Sequence, residues 1–410
     1  MKIFSAWLEY ILLSVLSLIF IVSPYFRVQV KILVFVVFGL WLAVKLTRVS
    51  VLGKKELFIC NPLQMPFIVF GCVCVLSVLL SQSSYHSQKV FFNRFMIYGL
   101  LFLIGMDVVS YSRKNFWWLS ISLIFSSCLL AAGGVRDYLV FQPARLFTAF
   151  SLGIPFNMLP LFITYFLPFN FAVLIFSQNR FLRIFSFVSL IFLLPCWVWQ
   201  GARAAWIAVA VSLLFVSILK SRRIFSAVGL VLLVVFSTGF FFSATRQKLE
   251  SIPYPSQWNS RTPLYNSALK MFHDHPLFGV GLGMYEKLIK EPRYELPADY
   301  PNKDHSLYLH AHNTYFEILA EMGVIGLLAF TFFFIAYFYR IFTAFKAVKD
   351  ANYLAVIKGI AALVFASLIL GVADSIITVG VNETFIFWIL LGISLGLLPE
   401  GTKQGVIKNG

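Results

Sequence analysis

Long apolar runs separated by short polar connections fill almost the whole chain. A helical bilayer crossing needs about 20 mainly apolar residues. On that ruler twelve segments qualify, at 7–23, 28–46, 64–80, 90–110, 115–132, 154–177, 181–199, 204–219, 224–243, 316–339, 354–372 and 384–398. Pro155, Pro160 and Pro168 make the sixth the least regular. Met1-Lys2 and the apolar run from Trp7 to Val22 have the form of a signal sequence. No small-residue cleavage site follows before the next apolar run, so this segment is read as the first membrane helix. One stretch breaks the rhythm, a polar segment between the ninth and tenth runs with several Pro and the Gly279-Val-Gly-Leu-Gly283 run. The predicted fold is therefore all-α: a polytopic membrane bundle of about 12 transmembrane helices with a large loop subdomain between helices 9 and 10. It divides into helices 1 to 9 (1–243), the loop subdomain (244–315), and helices 10 to 12 with a tail (316–410).

Composition agrees with that pattern. At 60% hydrophobic and 12% charged, the chain has too few charges to coat a water-soluble domain. The 46 Phe residues suit lipid-facing and interfacial surfaces. A net charge of +16 raises the question of nucleic acid or an acidic partner, and charge placement answers it. With a cytoplasmic N-terminus, seventeen Lys or Arg fall on the cytoplasmic side, among them Lys45, Arg48, Arg180, Arg183, Arg222 and Arg223. Only five lie in the short connections opposite: Arg27, Lys89, Arg136, Arg145 and Arg203. Cytoplasmic loops carry such an excess of cations, so both termini are expected in the cytoplasm. Ala244–Ala311 holds eight Lys or Arg against seven Asp or Glu and is nearly neutral. The basicity is thus mostly topological, and nucleic acid is not an expected partner. Cys60, Cys72, Cys74, Cys128 and Cys196 sit in or beside apolar stretches, so no disulfide framework is implied. The Cys72-Val-Cys74 pair reads as packing rather than a metal site.

Candidate chemistry lies where outward-facing cations and His residues meet helix starts, since free backbone N–H groups there favour anions and Arg adds a bidentate fork. Arg203 opens the eighth run in Gln200-Gly-Ala-Arg-Ala-Ala-Trp206; the alternative is an interfacial Arg snorkelling to headgroups. Arg261 precedes Thr262 and Pro263, which read as N-cap and first residue of a loop helix with Leu264, Ala268 and Met271 or Phe272 on one face. An ordinary solvated Arg is the competing reading. His312 and Asn313 lie just before Thr314 and Glu317, which match a capping box at the tenth run. A His at the mouth of the bundle suits a general base; taken alone, a surface or hydrogen-bonded structural His is the commoner reading. His273-Asp-His275 and His310-Ala-His312 are two His-x-His pairs that a loop could join around zinc, yet they share no helix at ligand spacing. No metal or other cofactor is expected. Gly279–Gly283 lacks the Lys-Ser/Thr of a phosphate loop and reads as turn geometry. Ionisable residues in or beside the runs include Glu9, Lys31, Arg94, Asp107, Lys358, Asp374 and Glu383, and most stand near predicted ends. A secondary transporter would place several at mid-membrane and show repeated halves. Asp374 and Glu383 bracket the last outward turn.

The chain resembles the bacterial O-antigen ligases in its twelve runs and the large segment between the ninth and tenth. It resembles them also in Gly-Ala-Arg203-Ala-Ala-Trp, Asn-Ser-Arg261, and His312-Asn313 followed by Gly323-Val-Ile-Gly326. Topology carries the resemblance over nearly the whole chain, and motifs carry it over about residues 200–326. Oligosaccharide polymerases and protein O-oligosaccharyltransferases share much of this pattern. The resemblance implies transfer of a polysaccharide from undecaprenyl diphosphate to a sugar hydroxyl of the lipid A-core acceptor. The reaction would take place on the periplasmic face of the inner membrane, among membrane lipids, with inversion and without metal. It implies that Arg203 and Arg261 hold the diphosphate, that His312 activates the acceptor, and that Asn313 and Asp374 support it. A lipid-linked oligosaccharide flippase or transporter is the alternative of another class.

Overall fold

The structure, a computed structural model, describes residues 2–53, 63–111, 115–141, 158–239, 261–297, 310–375, 378 and 382–399. Its elements among these residues are helices and turns, without a strand. The first half contains α1 (Lys2–Val22), α2 (Arg27–Leu52), α3 (Gln64–Leu79), α4 (Ser84–Val90), a π-helical turn (Phe91–Phe95), α5 (Met96–Tyr111), α6 (Asn115–Phe141) and α7 (Met158–Phe176). Then follow α8 (Arg180–Trp199), α9 (Arg203–Ile218), α10 (Arg222–Gly239), α11 (Thr262–Asp274), α12 (Tyr285–Leu288), α13 (Thr314–Ala344), α14 (Ala351–Leu370) and α15 (Asn382–Gly396). Each apolar run predicted from the sequence overlaps one of these helices. Pro155 lies outside the described residues, Pro160 falls in the first turn of α7, and Pro168 stands inside it.

Among the described residues, eight helical stretches are long and apolar enough to cross a membrane, from Phe4–Val22 to Ala351–Leu370, and Gln64–Leu79, Arg203–Ile218 and Thr384–Gly396 are shorter apolar helices. Their outer faces suit lipid. On α8, Leu182, Ser186, Leu193 and Cys196 turn inward while Phe181, Phe185, Phe187 and Ile191 stand exposed. In water, each such exposed ring would forgo about 1.5–3 kcal/mol of burial; against lipid tails no such loss arises.

Inside the bundle, small residues let backbones touch. The closest pair is α5 with α15, where a Cβ on Gly392 would stand 2.0 Å from the Phe102 carbonyl oxygen and one on Gly105 2.2 Å from that of Ile389. Polar groups in the interior find partners across helices. Asn170 Nδ2 donates to Ser127 Oγ at 3.0 Å, Ser127 lies 2.7 Å from Ser189, and Ser212 donates to the Ala362 carbonyl at 2.8 Å. Cys72 is exposed and Cys74 buried, so the two thiols face different surroundings, in keeping with packing rather than chelation.

The two ends of the bundle are distinguishable. Lys220, just past α9, and Lys358 share the Phe176 ring at 5.2 and 3.7 Å, and Lys358 also faces Phe345 just past α13. Helices α9 and α13 therefore finish at one end and begin at the other. Arg203 and His312, at their starts, lie toward the same end. There α13 is broken at Gly323, whose φ of 66° and ψ of −167° leave the helical region. The break strands backbone groups that the glycine-rich run satisfies: Val280 and Gly281 donate to the Ala320 and Glu321 carbonyls at 2.9 and 3.0 Å. Val324 and Ile325 donate in turn to the Pro276 and Leu277 carbonyls. The run is thus more than turn geometry; it is the strap that ties the loop to the kinked helix.

Candidate active site

Three short segments converge at this end: the start of α11, the approach to α13, and the turn after α14. Helix α11 buries Leu264, Ser267, Ala268 and Met271, the face expected from its periodicity. Arg261, rather than Thr262, occupies its N-cap, with Pro263 in the first turn. The correction has a physical cause: Arg261 caps nothing with its own side chain, because the guanidinium reaches away and Nη1 donates to the Ala373 carbonyl in the turn after α14.

The start of α13 also moves by one residue. Its N-cap is Asn313, whose Oδ1 accepts the backbone N–H groups of Tyr315 and Phe316 at 2.9 and 3.0 Å. The expected Thr314–Glu317 capping box is therefore not formed. Thr314 instead donates Oγ1 to the Asp374 carbonyl at 3.0 Å, and Glu317 Oε2 accepts the Ala311 N–H at 3.4 Å. Asn313 Nδ2 donates to the Val372 carbonyl at 2.8 Å, and the Thr314 N–H to that of Gly371 at 2.8 Å. The mouth of α13 is laced to the turn after α14, which fixes Asp374.

Between these ties sits His312. Its φ of 49° is left-handed, the one such value outside glycine among the described residues. A non-glycine residue in that region costs on the order of 1–3 kcal/mol and persists where its surroundings hold it. His312 Nδ1 lies 3.1 Å from Asp374 Oδ1, and Asp374 Oδ1 also accepts the Ser375 N–H at 2.9 Å. Burial would raise the Asp374 carboxyl. The hydrogen bond from His312 and the electrostatic pull of His312, His310 and Arg261 outweigh burial and hold the group well below the usual carboxylate range. An ionised Asp374 can only accept, so its contact with Nδ1 favours the His312 tautomer that carries its N–H there and turns Nε2 to the other side.

His310 lies against it with the rings tilted by 58° and their centroids 4.0 Å apart, and its Nδ1 accepts the His312 N–H at 3.3 Å. Burial, then the repulsion of His312, pushes the His310 pKa down to about 4, so this ring is neutral near pH 7. The two His-x-His pairs do not meet as a zinc site. His273 is exposed, and His275 Nε2 lies 2.9 Å from Gln82 Nε2. His310, His312 and Asp374 do offer ligand atoms within 4.8 Å of one another.

Of the residues singled out in the sequence, Arg261, His312, Asn313 and Asp374 form one connected cluster. Arg203 heads α9, half-buried, after a turn in which Gly201 has a φ of 66° and Gln200 brackets Ala202. It shares the end of the bundle with His312. Sequence reasoning passed over Tyr265, whose hydroxyl reaches the His312 carbonyl at 3.5 Å, and Glu321, whose Oε1 accepts the Tyr285 N–H at 3.1 Å. The spacing of Glu317 and Glu321, one turn apart on an apolar helix, was the available signal for the second.

None of the curated proteins compared with the chain matches it. A family model described as O-antigen ligase matches residues 187–331. That segment runs from α8 into the second half of α13 and contains Arg203, Arg261, His312, Asn313 and Gly323, while Asp374 lies beyond it. Over residues 187–331 this multi-helix membrane chain is similar to the O-antigen ligase family.

Proposed function

We propose that the protein is an O-antigen ligase that transfers a polysaccharide from undecaprenyl diphosphate to a sugar hydroxyl of lipid A-core, at the periplasmic face of the inner membrane. In this reading all twelve apolar helices cross the bilayer, both termini are cytoplasmic, and the 244–315 segment covers the site. The observation that carries it is the His312–Asp374 pair beside Arg261 at the mouth of α13.

The chemistry follows from these groups. The acceptor oxygen forms a bond to the anomeric carbon of the donor sugar from the face opposite the leaving group. The bond from that carbon to the diphosphate oxygen breaks, which inverts the centre. His312 Nε2 takes the hydroxyl proton, and Asp374 steadies the imidazolium that results. The released diphosphate gains negative charge, met by Arg203 and Arg261. A guanidinium carries five N–H donors, so the bond from Arg261 to Ala373 can anchor the side chain while other donors face the phosphate. The neutral ring of His310 adds no charge to compete for that phosphate.

A reconstituted assay with purified protein, lipid-linked polysaccharide and lipid A-core tests this reading. Positioned acid–base groups contribute about 10²–10⁴-fold, so His312→Ala should slow transfer by that order, and Arg261→Ala by about 10²–10³-fold, at normal protein levels. Unchanged rates in both variants would sink the assignment. A metal-dependent reading draws on the closeness of His310, His312 and Asp374; full activity in excess chelator would remove it. A polymerase or a protein O-oligosaccharyltransferase would use the same groups on another acceptor, and a flippase would use them without bond making.

A further inference from the structure

A second cationic site lies outside the cluster around His312. A cleft of about 490 Å³ opens between one face of α2, carrying Lys31 and Phe35, and one face of the α4–π–α5 rod, carrying Lys89, Asn93 and Arg94. Glu286 of α12 closes one side, and its carboxylate lies 3.6 Å from Arg94. Neither Lys31 nor Lys89 meets a carboxylate within ion-pair distance among the described residues, so the cleft holds three cations against one anion.

Two features show that this grouping is built. In an α-helix, residues five apart stand about 140° apart around the axis; the i→i+5 bonding of the π turn at Phe91–Phe95 narrows that angle and brings Arg94 onto the face of Lys89. Under the orientation given above, all three cations also lie toward the outer end of the bundle, against the bias that places Lys and Arg in the cytoplasm. The rest of the lining is largely apolar: Val34, Phe35, Val90, Ile97 and Phe385 flank the polar groups, and Phe35 is exposed. A ligand for this cleft is therefore anionic at one end and lipid at the other.

Resting on the ligase reading, we propose that the cleft holds a phosphate carried by a lipid substrate, so that one lipid is anchored here while the reacting sugar sits at His312. The phosphate belongs either to the acceptor lipid or to the diphosphate of the donor. Lys31 and Lys89 are exposed, so Lys31→Gln with Lys89→Gln leaves packing intact.

Two measurements on the full chain test the proposal. The first is binding of a fluorescent phosphatidic acid to the purified protein in uncharged detergent, with the phosphatidylcholine analogue as control. The double variant should bind phosphatidic acid about tenfold more weakly, as expected for losing charge-assisted hydrogen bonds, and Lys31→Arg with Lys89→Arg should restore it. The second is transfer in proteoliposomes. The double variant should raise KM about tenfold for one lipid substrate, with kcat within roughly twofold of the parent. A rise for the acceptor assigns the phosphate to the acceptor, and a rise for the donor assigns it to the donor. Unchanged binding together with both KM values unchanged overturns the cleft and leaves the ligase reading standing. Lysine-dependent binding in a protein that transfers nothing keeps the cleft and overturns the ligase reading.

Discussion

At the scale of single residues, the site depends on which atom of His312 holds a proton. Asp374 Oδ1, 3.1 Å from Nδ1, fixes it. Asp374→Asn preserves shape but can donate instead of accept, which favours the wrong tautomer. It should slow transfer by about 10-fold or more without lowering protein levels, as a kinetic comparison would establish. His310 gives a pH signature. Its folded pKa of about 4 lies below the 6.5 of an unperturbed ring. Above pH 6.5 folded and unfolded chains are both neutral there, and nothing is gained or lost. As pH falls from 6.5 toward 4 the unfolded chain binds the proton first, so stability declines through that window and levels below it. Melting of detergent-solubilised protein across this range should show the decline, and His310→Gln should flatten it. Asp374, held low, adds a separate loss that begins only as pH falls to the usual carboxylate range, about 3.9. Much of this cluster was legible from residue type and placement: Arg261, His312 and Asn313 stood beside a helix start, and Asp374 in the last outward turn. The caps were not, because Arg261 and Asn313 are each drawn one position by partners in the 372–374 turn, far away in sequence.

At the scale of elements, the apolar runs foretold where helices form because a stretch of some 20 apolar residues has few other ways to satisfy its backbone in lipid. The break in α13 was not visible, since Gly323-Val-Ile-Gly326 reads as ordinary helix until the 276–281 run supplies partners to the groups it frees. A Cβ at Gly323 would stand 2.3 Å from the Leu277 carbonyl carbon, on a residue with φ of 66°. Gly323→Ala should therefore cost about 1–3 kcal/mol from backbone strain alone and loosen the strap. Limited proteolysis should then cut within 276–297 in the variant while the parent resists; equal resistance would deny the strap its role. The π turn at Phe91–Phe95 was equally hidden, because Phe-Phe-Asn-Arg-Phe carries no residue that demands it.

At the scale of the whole molecule, charge placement ties sequence to function. The expected distribution of seventeen cations on one side against five on the other argues for one orientation of the bundle, and in the proposed reading that orientation would put Arg203, Arg261 and His312 on the face where a lipid-linked polysaccharide meets its acceptor. Alkaline phosphatase fused after Arg136 should be active and fused after Arg222 inactive; the reverse pattern would invert the bundle. The family match covers residues 187–331 and is shared in kind by ligases and polymerases, so the acceptor decides between them. The most direct measurement is the lipopolysaccharide ladder of a strain lacking this chain, with lipid-linked polymer assayed alongside. The expected result is bare lipid A-core with accumulated lipid-linked polymer. Core capped with a single repeat unit would make the protein a polymerase, and donor retained on the cytoplasmic leaflet would make it a transporter; either would contradict the ligase reading.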